Sequence, residues 1–229
     1  MPETEARLAM SETLTLGEFT PREINPGSRL FSPVRNLLII LSAVAHASSV
    51  MADGSTHKIA KPVMRAGTRW TNYSLAIPLR GPLENALMGT QPTTIVIGII
   101  TDAAANAEEL PNPRIRTGGL HGVMANVIAP IFIMFFERYN DWLTDTLGRG
   151  SADTWHPTLN FCRVVRNAAA HGSINFRNPS APSVSWRDLT YSPADNGNPV
   201  IGTDMQIGEI LALMFDADDA LTENGAPIL

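Results

Sequence analysis

The segment FCRVVRNAAAHG, residues 161–172, has the pattern of a buried helix that stops abruptly. Apolar side chains recur along it at helical spacing. Just upstream, Pro157 suits the first helical position, where a missing N–H needs no partner, and Gly172 can take the left-handed conformation that commonly ends a helix. We therefore predict a helix from about residue 157 to residue 171, and we expect the rest of the fold to pack along its apolar side.

Polar side chains share one face of this predicted helix. Because each residue advances by 100° around the axis, Arg163, Asn167 and His171 fall along a single stripe. Arg166 lies about 140° from His171 on a regular helix, but its long side chain can close that gap. The three alanines 168–170 leave room for another backbone to approach closely. These residues form the candidate site.

Long apolar runs predict that helices dominate the rest of the chain. The predicted helices lie at about residues 33–51, 93–110, 117–147 and 205–221. Residues 1–30 are predicted to form an arm. Scattered glycine and proline residues between 52 and 92 predict an extended connection, with only a helical turn or two at 82–89.

The hydrophobic period changes after the helix that carries the polar stripe. The segments INF (174–176), SVSWRDLTY (183–191) and PVIG (199–202) favour three short strands joined by turn-forming residues. We expect a β insertion near residues 173–203, in the form of a small antiparallel sheet or a hairpin. The predicted fold is thus mainly α, with one helical domain over residues 31–229.

The composition of the chain limits its cellular compartment and the kind of partner that it can bind. The formal net charge of −5 argues against a broad basic surface, although a local group of arginines in a cleft remains compatible with it. The single cysteine, Cys162, lies in an apolar run and cannot serve a disulfide framework. An apolar stretch at 35–49 lies behind an acidic and polar leader, unlike a secretory signal, and the stretch at 123–136 is shorter than the roughly 20 residues of a membrane span. We expect a cytoplasmic protein that does not cross a membrane.

Several classes of chemistry lack their motifs. No pair of histidines has metal-ligand spacing, and the sequence has no phosphate loop, dinucleotide fingerprint or nucleophile elbow. We expect neither a metal nor a cofactor.

The order of residues 166–171, Arg-Asn-Ala-Ala-Ala-His, resembles the motif of the HEPN superfamily of helical nucleotide-binding domains. The hallmark of that family is an arginine followed, after four to six residues, by a histidine, often with a polar residue directly after the arginine. The resemblance covers residues 155–221, and it implies an HEPN-like helical bundle.

The resemblance also implies a homodimer in which two copies of the motif face each other, and many HEPN domains are metal-independent ribonucleases. On that basis His171 transfers protons around a ribose 2′-hydroxyl as this group attacks the adjacent phosphodiester. Arg166 holds the phosphate, and Asn167 orients the histidine or a phosphate oxygen. Helical geometry, rather than the family, makes Arg163 a candidate for an additional phosphate contact. The expected product is a 2′,3′-cyclic phosphate.

Two functions stay open at this point. The first is a toxin-like endoribonuclease with RNA as its substrate and a cognate antitoxin or regulator as a further partner. The second is a noncatalytic, HEPN-like dimeric module for binding or scaffolding. An arginine and a histidine near the end of a helix often cap its free carbonyl groups without any chemistry, which agrees with the second function.

Overall fold

A computed structural model describes residues 19–53, 63–70, 73–78, 80–90, 93–101, 121–148 and 154–229. In chain order the elements are β1 (Phe19–Ile24), α1 (Phe31–Asp53), β2 (Val63–Gly67), β3 (Ser74–Pro78), α2 (Arg80–Met88), β4 (Ile95–Ile100), α3 (His121–Leu147), α4 (Pro157–His171), β5 (Val184–Trp186), β6 (Leu189–Tyr191) and α5 (Ile207–Glu223). Contacts divide the described residues into two compact units. The first lies within Met1–Pro26 and Arg35–Ile115, and the second within Gly27–Val34 and Arg116–Leu229.

The first unit contains a four-stranded antiparallel sheet in the order β1, β4, β3, β2. Strand β4 lies inside the sheet and pairs with β1 along its whole length, from Ile24 opposite Ile95 to Phe19 opposite Ile100. Its sequence, IVIGII, is rich in the β-branched residues that pack well on a pleated surface. The buried side chains of Ile95, Ile97 and Ile100 give the sheet an apolar core.

This sheet overturns the predicted fold class. The mainly α, HEPN-like helical bundle with β structure only near residues 173–203 is wrong, because a four-stranded sheet lies outside that insertion. The predicted helix at 93–110 is a strand over Ile95–Ile100, and its remainder from residue 102 lies outside the described residues. A short continuous apolar run does not distinguish a buried strand from a buried helix by its period.

The other strands of the sheet come from segments without a clear local pattern. Strand β1 lies in the predicted arm, while β2 and β3 lie in the predicted extended connection at 52–92. The prediction of an extended connection is therefore wrong over β2 and β3. The sheet that contains them also includes segments far away in the sequence. The helical turns predicted at 82–89 are confirmed by α2.

The long helices agree with their predicted positions. The helix predicted at 33–51 is confirmed by α1, and the one predicted at 205–221 by α5. The helix predicted from residue 117 is seen as α3 from His121, since the preceding residues lie outside the described part. Apolar periodicity is a local signal, which is why it locates these helices without knowledge of the fold.

Helix α4 has the boundaries that its sequence predicts. It begins with Pro157 and ends before Gly172, whose φ of 84° is the left-handed conformation expected of a terminating glycine. Its buried face consists of Leu159, Asn160, Phe161, Cys162, Val164, Val165 and Ala168. Helices α3 and α5 and strand β5 pack against α4.

The predicted β insertion is a single hairpin. The segment expected to form one strand at 183–191 turns at Arg187 and forms β5 and β6, and neither of the other two predicted segments forms a strand. Ile174 still pairs with a neighbouring turn through two backbone hydrogen bonds, which involve Gly197 and Asn198. The hairpin packs on α4, where the Phe161 ring stacks on Tyr191 at 5.3 Å and lies 5.7 Å from Trp186.

Within the described ranges, no helix combines the length and the apolar character that crossing a membrane requires.

Candidate functional site

The candidate site lies on the part of α4 that its neighbours leave uncovered. Arg163, Arg166 and Asn167 are half-buried there, and Ala170 and His171 are exposed at the end of the helix. The opposite face of α4 is buried in the core of the second unit. The fold therefore holds the helix firmly while its polar face reaches solvent.

Arg166 is held by two neighbours. Its Nη2 forms an ion pair with Oε1 of Glu137, which lies on α3. Its Nη1 donates a hydrogen bond of 2.9 Å to Oδ1 of Asn167. The Nε atom is buried and has no hydrogen-bond partner among the described residues. A carboxylate from the next helix and an amide from its own helix thus fix the guanidinium in one place.

His171 is the last residue of α4 and is exposed. Its imidazole forms no hydrogen bond or ion pair with any residue that the structure describes. Gly172, which ends the helix immediately afterwards, is exposed as well. The imidazole is therefore accessible to an incoming group.

Arg163 forms hydrogen bonds within its own helix. Its Nε and Nη2 donate hydrogen bonds of 3.1 and 2.9 Å to Oδ1 of Asn160, one turn toward the N-terminal end of α4. The structure thus joins Arg166 and Asn167 directly, while the Arg163 guanidinium lies with Asn160. His171 is bonded to none of them.

The sequence patterns do not identify Glu137 as a residue of the site. It is the first charged residue after the apolar run of α3, which is the only sequence signal it carries. Its contact with Arg166 depends on how α3 and α4 pack, and residues so far apart in the chain give no local pattern that reveals such a pair.

The thiol of Cys162 lies on the buried face of α4. Burial, together with the nearby carboxylate of Asp216, raises the pKa of Cys162 well above the ordinary thiol value. The thiol therefore stays neutral and is not a nucleophile.

Over the described part of the chain, no group of three or more His, Cys, Asp or Glu residues is arranged to hold a metal ion. Comparison of the chain with models of protein families, with curated proteins and with solved structures finds no match.

Proposed function

We propose that this protein is a metal-independent endoribonuclease whose site lies at the C-terminal end of α4. The resemblance of residues 166–171 to the HEPN motif suggests this chemistry. The observation that carries the proposal is the hydrogen-bonded pair of Arg166 and Asn167 about one turn before an exposed imidazole, His171, that no described residue engages.

The reaction is an internal transfer at phosphorus. The 2′-oxygen of the substrate ribose forms a bond to the adjacent phosphorus while the bond from phosphorus to the 5′-oxygen breaks. His171 accepts the proton of the 2′-hydroxyl as a general base. The leaving 5′-oxygen takes up a proton from solvent or from the second copy of the site in the predicted dimer. The products are a 2′,3′-cyclic phosphate and a 5′-hydroxyl.

Arg166 stabilises the charge that builds on the phosphate during this step. A guanidinium has five N–H donors, of which one bonds Asn167, one faces Glu137 and the Nε–H is buried. The two remaining N–H groups on the η nitrogens are the ones that bind a phosphate oxygen. Because Asn167 and Glu137 already hold the guanidinium, little reorganisation is required during the reaction.

The charge of the chain limits the substrate. With a net charge of −5 and a carboxylate beside Arg166, the surface does not attract long RNA strongly over a wide area. We therefore expect a short or structured RNA that binds through a few local contacts.

The second candidate is a noncatalytic, HEPN-like dimeric module, and the ion pair of Arg166 with Glu137 favours it. An arginine bound to a carboxylate on the neighbouring helix fastens the two helices together whether or not a substrate binds.

Cleavage of RNA in the presence of EDTA, with wild-type and His171→Ala proteins, tests the proposal. We expect the variant to lose a factor of about 10² to 10⁴ in kcat, the usual contribution of a general acid or base. His156→Ala is the matched control, because His156 lies at the opposite end of the same helix. Both variants are checked for an unchanged oligomeric state and Tm.

If His171→Ala retains wild-type activity, the proposal is wrong. If the protein cleaves no RNA, and the variant loses only its dimeric state, the noncatalytic module is favoured instead.

A further inference from the structure

The segment directly after the candidate site alternates in burial. Ile174 and Phe176 are buried, whereas Asn175 and Arg177 are exposed. The segment is not a strand, but its two exposed side chains both reach solvent. Asn175 and Arg177 therefore offer polar groups to solvent just after the exposed end of α4.

This segment is fixed to the fold by hydrogen bonds on its buried residues. The Ile174 amide donates to the Asn198 carbonyl at 2.9 Å, and the Gly197 amide donates to the Ile174 carbonyl at 2.9 Å. The side chain of Asn196 accepts from the Phe176 amide at 2.7 Å and donates to the Phe176 carbonyl at 3.0 Å. The backbone on the α4 side of Arg177 is thus held in place.

On the far side of Arg177 the chain forms a local turn. The Ser180 amide donates to Oδ1 of Asn178 at 2.9 Å, and the Ala181 amide donates to the Asn178 carbonyl at 3.1 Å. Arg177 therefore lies between a segment bonded to the fold and a local turn, and both reduce the conformational freedom that a ligand contact has to overcome.

The Arg177 guanidinium is exposed, and within the described ranges it forms no hydrogen bond or ion pair. Arg29, Arg166 and Arg187 in the same unit are each paired with a carboxylate. A phosphate can bind Arg177 without displacing a partner, and the planar guanidinium matches the geometry of two phosphate oxygens.

We propose that Arg177 binds a phosphate next to the cleaved linkage, so that a single-stranded RNA runs from His171 along residues 173–177. This inference rests on the proposed function. Arg177 is the sixth residue after His171, and this stretch of chain spans at most about 20 Å, so both side chains are within reach of one short RNA strand. If Arg177 binds this neighbouring phosphate, an oligonucleotide is a better substrate than a dinucleoside monophosphate.

The test compares two substrates of different length. A dinucleoside monophosphate contains only the reacting phosphate, whereas an eight-residue oligonucleotide with one ribose and seven deoxyriboses has a single cleavable linkage and several neighbouring phosphates. We expect Arg177→Gln to lose about tenfold more in kcat/KM on the oligonucleotide than on the dinucleoside, as for one charged hydrogen-bonding contact. The loss appears in KM, and Arg177→Lys restores part of it.

Arg138→Gln is the matched control, because it removes one exposed arginine charge from α3. We expect this variant to show no greater loss on the oligonucleotide than on the dinucleoside. An equal loss for Arg177→Gln on both substrates, or no loss at all, overturns the proposal while the ribonuclease function stands.

Binding of the all-deoxy oligonucleotide separates this inference from the proposed function. We expect the slope of log K against log salt to fall by about 0.7 in Arg177→Gln, the value for one phosphate contact on a single strand. If this change is found but no RNA is cleaved, the phosphate contact is supported and the ribonuclease proposal fails. If wild-type protein and Arg177→Gln bind with the same affinity and slope, or if neither binds, the inference about Arg177 is wrong.

Discussion

Arg166 owes its position to two side chains that act in different ways. Asn167 is its neighbour in sequence and bonds it from the same helix, whereas Glu137 contacts it from α3. Glu137 therefore neutralises part of the Arg166 charge that the proposed phosphate contact needs, and it also directs the guanidinium. A residue with both effects is expected to change substrate binding and turnover in opposite directions.

Glu137→Gln tests this positioning role. We expect tighter binding of an uncleavable RNA, because one negative charge near the phosphate is removed, and a lower kcat, because Arg166 is no longer directed. The free energy of unfolding should change by about 1 kcal/mol or less, since both partners are partly exposed. Affinity and kcat are measured separately, with Asp141→Asn on the same helix as a charge control. If binding and kcat fall together, Glu137 is not a positioning residue of this kind.

Cys162 gives the protein a specific dependence on alkaline pH. Burial raises the pKa of Cys162, so at neutral pH both the folded and the unfolded chain carry a neutral thiol. Above about pH 8.5 the thiol ionises in the unfolded chain, before it does so in the folded protein. The stability that this thiol contributes is therefore lost as the pH rises toward its pKa in the folded protein. The loss is up to about 1.4 kcal/mol per pH unit.

Cys162→Ala removes this dependence, whatever its own cost to stability. Urea denaturation between pH 7 and pH 10 is expected to show a shallower loss of stability in the variant than in the wild type. If the free energy of unfolding changes equally with pH in the wild type and in Cys162→Ala, the thiol is not buried in its un-ionised form. A thiol reagent should correspondingly fail to modify the folded wild-type protein.

Asp216 on α5 holds the hairpin of β5 and β6 in place. It accepts a hydrogen bond of 2.8 Å from Nε1 of Trp186 and one of 3.2 Å from Nε of Arg187. Arg187 has a φ of 52°, which is unfavourable for a residue with a side chain. Its carboxylate partner and the Trp186 ring, 5.1 Å from the guanidinium, maintain this turn.

Substitutions at Asp216 distinguish the hydrogen bond from the charge. Asp216→Asn can still accept from Trp186, so the expected cost is about 1 kcal/mol or less for a partly exposed ion pair. Asp216→Ala leaves the indole N–H of the buried Trp186 without its partner, and we expect a loss of about 1–3 kcal/mol. The midpoints of urea denaturation measure the loss of stability in each variant. Equal losses in the two variants contradict the role assigned to the indole hydrogen bond.

Elements differ in how much of them the sequence reveals. Helices α1, α4 and α5 carry an apolar period along their own length, and α4 also carries its start and stop signals, Pro157 and Gly172. Strand β4 has an apolar run that fits a helix equally well, and β1 to β3 depend on pairing between distant segments. At the site, Arg166 and Asn167 are neighbours in α4, so the sequence of that helix alone brings them together. The contact of Arg166 with Glu137 depends on how α3 packs against α4.

The resemblance predicts that the whole molecule is a homodimer with the two motifs face to face. Ala170 is exposed next to His171, where such a partner would approach. We expect the wild type to sediment as a dimer and Ala170→Glu to shift it toward monomer with loss of RNA cleavage, because a charged, larger side chain blocks close approach. Ala194→Glu, at another exposed alanine of the second unit, is the control. A wild-type monomer that cleaves RNA contradicts the dimer prediction.

The chemical ends of the RNA fragments test the central claim most directly. With EDTA present and an oligonucleotide that has one ribose among deoxyriboses, mass spectrometry should find a 2′,3′-cyclic phosphate and a 5′-hydroxyl at that linkage alone. These products should depend on both His171 and Arg166. Fragments with a 5′-phosphate and a 3′-hydroxyl, or cyclic phosphate ends formed equally well by His171→Ala, would contradict it.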